Sequence, residues 1–107
     1  MRSVLEDVRN TLSDALNVPV VVEVPPRRAA AFVLIDPVGG QSTADALRPE
    51  YAFKAYARTY EAAETLIRDV IDAARAAGYA MTADPIPLGR DSTHVWWQVT
   101  FIVPTLY

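Results

Sequence analysis

The sequence predicts one α/β-type (α+β) domain: two helices on a four- to five-stranded mixed sheet, in the order α-β-β-β-α-β-β. Three observations predict it. The 107 residues are 51% hydrophobic and 21% charged, enough for one packed core and too few for two. Apolar residues recur at helical spacing near the N-terminus and again after Thr59. The stretches between are β-branched, continuously apolar or strictly alternating, as strands are. Residues 1–107 therefore read as a single domain.

Ser3 and Glu6 have capping-box spacing, and Val4, Leu5, Val8, Leu12, Ala15 and Leu16 share a helix face, so the first helix is expected over residues 3–16. Pro19 ends it. Val20 to Val24 is β-branched and too short for a helix, and Pro25-Pro26 stops that strand, with Arg27 and Arg28 in the turn. Phe32-Val33-Leu34-Ile35 is a second strand, closed by Asp36-Pro37. Residues 37–49 hold two Gly and two Pro with little periodic apolar signal and read as the longest loop. Tyr51, Phe53 and Ala55 then alternate with Ala52, Lys54 and Tyr56 in a third strand.

Thr59 has the character of an N-cap and Gly78 that of a residue just past a helix end, which frames a second helix over 60–77. Its apolar stripe is Ala63, Leu66, Ile67, Val70, Ile71, Ala74 and Ala77. A fourth strand begins at Tyr79 and is expected to be broken up by Pro85 and Pro87, with a turn at Gly89-Arg90-Asp91-Ser92. The fifth strand, Thr93 to Val103, places Val95, Trp97, Val99, Phe101 and Val103 on one face. His94, Trp96, Gln98, Thr100 and Ile102 occupy the other.

Composition narrows the function classes. Ten Lys and Arg against thirteen Asp and Glu give a net charge of -3, the wrong sign for a domain living on phosphate contacts. With no cysteine, disulfides, thiolate metal sites and a Cys nucleophile are excluded. No apolar run approaches the ~20 residues of a membrane span, and the N-terminus opens amphipathically, so synthesis in the cytosol is expected.

No catalytic or cofactor constellation emerges. His94 stands near Asp91, Ser92 and Thr93, but close neighbours on a turn do not easily converge into a triad, so an ordinary half-exposed strand histidine is expected. Glu61 with Glu64 and Asp69 with Asp72 read as a solvated helix face, and Gly39-Gly40 as a loop hinge without the Lys of a phosphate cradle. Arg27 and Arg28 are the densest basic spot, read either as a solvated tip or as interface residues.

A sheet of four or five strands is roughly 19–24 Å wide, and two helices cover about one face of it. The other face would carry Trp96 and Ile102 and part of the second strand, which favours self-association unless one helix lies on each side.

The ordered pieces resemble a known family. They run from the N-terminal helix through Val18-Pro19-Val20, Glu23-Val24-Pro25 with Arg27 and Arg28, Phe32-Val33-Leu34-Ile35, Gly39-Gly40 and Arg48-Pro49. Tyr51 to Ala57, the Ala-rich acidic helix and Trp97-Gln98-Val99-Thr100-Phe101 complete the order. Together they resemble the tail terminator (tail-completion) proteins of long-tailed bacteriophages, over nearly the whole chain. The Pro-rich stretch from Asp84 to Leu88 and the ending at Leu106-Tyr107 depart from that pattern.

The resemblance implies a structural virion protein without enzymatic activity or cofactor, assembled in the host cytoplasm. Its copies would form a hexameric ring that caps the tail tube, ends tube polymerisation and presents the head-tail joining surface. The implied partners are the chain itself, the major tail tube protein and the head-tail connector or neck proteins, with DNA passing through the lumen unread and no membrane. Interface candidates are Arg27, Arg28, Gly39, Gly40, Gln41, Ser42, Arg48, Trp96 and Ile102. The competing class is a dimeric, ferredoxin-like small-molecule-binding module paired through its open sheet face.

Overall fold

The computed structural model describes residues 4–42 and 46–106, without the side chains of 39–47, 105 and 106. In chain order the elements are α1 (Val4–Ala15), β1 (Val20–Val21), β2 (Phe32–Ser42), β3 (Ala46–Ala57), α2 (Tyr60–Ala76), β4 (Ala80–Arg90), β5 (Val95–Ile102) and β6 (Thr105–Leu106). The α+β class with two helices on a mixed sheet is what forms. The strands lie in the order β1-β2-β3-β5-β4, and β6 adds to the start of β3. The β1–β2 pair is parallel and every other pair antiparallel. This element order is not the β-α-β-β-α-β order of a ferredoxin-like unit.

Both helices lie on the same face of the sheet. Val8 and Leu12 of α1 and Leu66, Ile67, Val70, Ile71 and Ala74 of α2 form one buried cluster with Val33, Ile35, Phe53, Ala55, Val99 and Phe101. Those strand residues share one pleat parity, and burying them against the two apolar stripes supplies the main driving force for folding. The arrangement with one helix on each face is not adopted. Helix α2 is closed at both ends as its sequence demands: Thr59 Oγ1 accepts the Ala62 N–H at 3.1 Å. Gly78 at φ 86° turns the chain out while its own N–H and that of Tyr79 satisfy the Arg75 and Ala74 carbonyls. Ser3, the expected cap of α1, lies outside the described residues.

Three expectations are corrected. The strand expected over Val20–Val24 stops after Val21, and Val22 and Val24 are exposed; β-branched composition alone does not hold a strand that has no neighbour to pair with. The loop expected over 37–49 is instead the distal part of a long β2–β3 hairpin, paired from Pro37↔Tyr51 to Ser42↔Leu47. Pro37 does not end β2, because the register shifts between Pro37 and Gly39 and the bulge absorbs the missing donor. This stretch carried no alternating signal in sequence, and its strand character comes from its pairing with β3.

The fourth strand is continuous through Pro85 and Pro87, and Gly89 and Arg90 belong to it rather than to the turn. It is an edge strand with three register shifts against β5. Proline is tolerated there because one side of the strand pairs with nothing.

Candidate assembly surface

With the helices on one side, the opposite sheet face carries no helix, and its chemistry and burial change along the strands. At the end where β2 and β5 begin and β3 finishes, the register places Phe32 beside Tyr56 and Tyr56 beside Trp96. The three rings stack as a ladder across the strands: Phe32 on Tyr56 at 4.5 Å and 7°, Tyr56 on Trp96 at 4.9 Å and 27°. Such cross-strand aromatic pairs stabilise a sheet beyond their area burial. Trp96 continues the ladder onto β4, where its opposite number is Gly89. A Cβ at residue 89 would come within 2.9 Å of Trp96 Cζ2, so glycine is what lets the indole lie flat over the edge strand. Ile86, opposite Gln98 on the same strand pair, is 49% exposed.

The segment that returns the chain from β1 to β2 roofs the ladder, leaving Phe32 1% and Tyr56 7% exposed and only Trp96 half-buried. Because the β1–β2 pair is parallel, residues 22–31 must run back to the start of β2, and they do so across this face. Ala29 and Arg28 reach the turn that leads into β5, a strand three places from β1 and so about 14 Å across the sheet. His94 Nε2 lies 2.8 Å from the Ala29 carbonyl. Arg28 contacts Asp91 at 2.8 Å and Thr93 Oγ1 at 2.7 Å.

This clasp corrects the reading of His94. It is 3% exposed rather than half-exposed, and it meets Phe32 and Tyr56 edge-on. A carbonyl can only accept, so Nε2 donates to Ala29, while Nδ1 lies 2.8 Å from the Thr93 hydroxyl, which itself donates to Asp91 Oδ1 at 3.1 Å. Asp91, Thr93 and His94 do converge, because the turn folds back on the Asp91 carboxylate. Asp91 Oδ1 accepts the backbone N–H groups of Thr93 at 2.9 Å and His94 at 2.8 Å, and the Asp91 N–H donates to the His94 carbonyl. The carboxylate touches the hydroxyl and the backbone but not the imidazole, so the order of contacts is not that of a Ser-His-Asp relay.

The charges here are mutually tuned. The Arg28 guanidinium first, then the backbone donors of Thr93 and His94, hold the Asp91 carboxyl far below the usual carboxylate range. Burial pushes the Tyr56 hydroxyl up, with Arg28 opposing.

Away from the aromatic end the face is polar. Lys54 bridges to Asp36 at 3.4 Å and Thr82 donates to Glu50 at 2.9 Å. Ile102, half-buried, sits at this far end between Glu50 and Ala80. Six residues of strand, about 20 Å, separate it from Trp96, so the two belong to one face but not to one patch.

The other predicted interface residues scatter. Arg27 is exposed, whereas Arg28 is half-buried in the clasp. Gly39, Gly40, Gln41 and Ser42 lie in the distal half of β2, paired with Glu50, Pro49, Arg48 and Leu47, and Arg48 is exposed on β3. Phe32, Tyr56, Gly89 and His94 were missed as a group. Strand parity put Tyr56, Trp96 and His94 on the open side, but only the register between strands shows that they touch.

Among the described residues, no group of three or more His, Cys, Asp or Glu is placed to hold a metal ion, and no helix is long and apolar enough to cross a membrane. Together these features define an α+β domain with both helices on one sheet face, a second face roofed at its aromatic end and polar beyond it, and a long β2–β3 hairpin. No protein-family model matches the chain, and no curated protein matches its sequence.

Proposed function

We propose that this chain is a structural subunit of a phage tail: a tail terminator whose copies close into a hexameric ring on the tail tube, end its polymerisation and offer the head-tail joining surface. The observation that carries the reading is the one-sided packing of the sheet. Two helices cover one face, while on the other only the Trp96 end of the aromatic ladder, with exposed Ile86 and half-buried Ile102, is left for a partner, beside the long β2–β3 hairpin. Trp96 and Ile86, on neighbouring strands β5 and β4 in a polar surround, are the apolar part of that face that a protein partner can reach. The long β2–β3 hairpin, its backbone paired as far as Ser42 and Leu47, gives such a subunit an element with which to reach a neighbouring ring. The order of sequence pieces shared with tail terminators supplies the assignment to tails.

The test is to mix the purified protein with a polymerising tail tube protein and image the tube ends. Sixfold rings on the ends and tubes of limited length are expected. Strict twofold dimers and tubes of unlimited length would overturn the reading and favour a dimeric binding module.

A further inference from the structure

The two flanks of α2 carry opposite charge and opposite relief. On the side facing α1, a cleft of about 430 Å³ opens between the helices. Its floor is apolar, from Leu16, Val18, Leu66 and Ala73, and Asp69 and Asp72 stand on it. Both carboxylates are exposed, and neither has an ion pair or side-chain hydrogen bond among the described residues.

On the side facing β4 and β5 the signs are reversed. Arg58 and Arg90 border a cleft of about 300 Å³ at the start of α2, which shares Tyr60, Arg90 and Val95 with a second, lined by Pro87 and Leu88. Tyr60 is 45% exposed and Leu88 44%. Arg58 and Arg90 are also unpaired among the described residues. The one carboxylate at this cleft, Asp91, is already neutralised by Arg28.

We infer that these flanks are the two halves of one head-to-tail contact between copies of this chain. The arginines and the Tyr60–Leu88 ledge of one copy dock on the α1–α2 cleft of the next. An apolar floor with carboxylates beside it suits an arginine side chain, whose methylene stem lies on Leu66 and Ala73 while its head meets the acids. The occupant is a second copy because the chain itself displays both complementary sets, on opposite sides of one helix. A contact between two different patches propagates from copy to copy and closes into a ring when the rotation allows. The inference rests on the ring reading and deepens it by naming the lateral contact, which leaves the helix-free sheet face and the β2–β3 hairpin for other partners.

Two variants test it, R58E/R90E and D69K/D72K. All four positions are exposed and unpaired among the described residues, so both proteins should keep the wild-type circular dichroism and melting profile. Assembly, read as particle mass by sedimentation or mass photometry with and without tube ends, should weaken at least tenfold in each variant alone. An equimolar mixture should recover the wild-type mass, because the reversed arginine flank of one variant then meets the reversed acidic flank of the other. Rings that form equally well in both variants, or a mixture that fails to recover, overturn this contact and leave the ring reading standing. A wild-type protein that stays monomeric on tube ends overturns both.

Discussion

The guanidinium of Arg28, in the segment that returns the chain to β2, lies 2.8 Å from the Asp91 carboxylate at the turn before β5, and this pair anchors the roof over one end of the open face. Its consequence is a defined pH dependence. Asp91 titrates lower in the folded protein than in the unfolded chain, so its stabilisation is fully present above the ordinary carboxylate pKa of about 4 and is lost as pH falls through the lower folded value. Asp91→Asn should therefore lower the denaturant midpoint at pH 7, and the gap from wild type should narrow as pH drops below about 4. Urea titrations at several pH values measure it, and a gap that stays constant with pH would show that the pair contributes nothing through charge.

His94 should be needed for stability. His94→Ala removes a ring packed on Phe32 and Tyr56 and strands the Ala29 carbonyl, a loss of about 2–4 kcal/mol. His94→Gln should cost distinctly less, since an amide can still donate to that carbonyl. Equal midpoints for the alanine and wild-type proteins would mean that the roof does not depend on this contact.

The Gly89–Trp96 approach predicts a spectroscopic signature. Gly89→Ala places a methyl where the indole lies, so the ring must tilt away from β4, at a cost of about 1–3 kcal/mol. Near-UV circular dichroism should change in the tryptophan region while the far-UV spectrum persists. An unaltered near-UV spectrum would show that the ladder tolerates a side chain there.

Trp97, on the helix side of the same strand, meets Tyr60 edge-on at 5.4 Å, and its Nε1 is buried without a partner. A phenylalanine removes the stranded donor as well as some volume, so Trp97→Phe should change stability by less than about 1 kcal/mol. Trp97→Ala removes the packing altogether and should cost about 3 kcal/mol. Thermal melts of the two variants separate packing from hydrogen bonding at this site.

Replacing residues 39–47 with a two-residue turn should leave the melting temperature within a few degrees of wild type, because every buried residue of the described core lies outside that stretch. The same variant should fail to limit tube length. Normal capping by the trimmed protein would make the arm a bystander.

What the sequence determined by itself is what local periodicity encodes. The stripe from Ala63 to Ala74, the cap at Thr59, the turn-out at Gly78 and the alternation through β5 each have a physical cause within a few residues, and each stands in the structure. The α+β class followed from them, whereas the sequence left the second sheet face uncovered and the structure roofs its aromatic end with residues 22–31. Only the tertiary structure decided the rest, because pairing between distant segments has no local signature. Residues 37–42 become strand through partners on β3, Pro85 and Pro87 survive in a strand because β4 is at an edge, and Val22 and Val24 leave theirs for want of a neighbour. The same reason hid the aromatic end of the sheet: the Phe32–Tyr56–Trp96 ladder and the burial of His94 under Ala29 exist only once four separate stretches of chain are set in register.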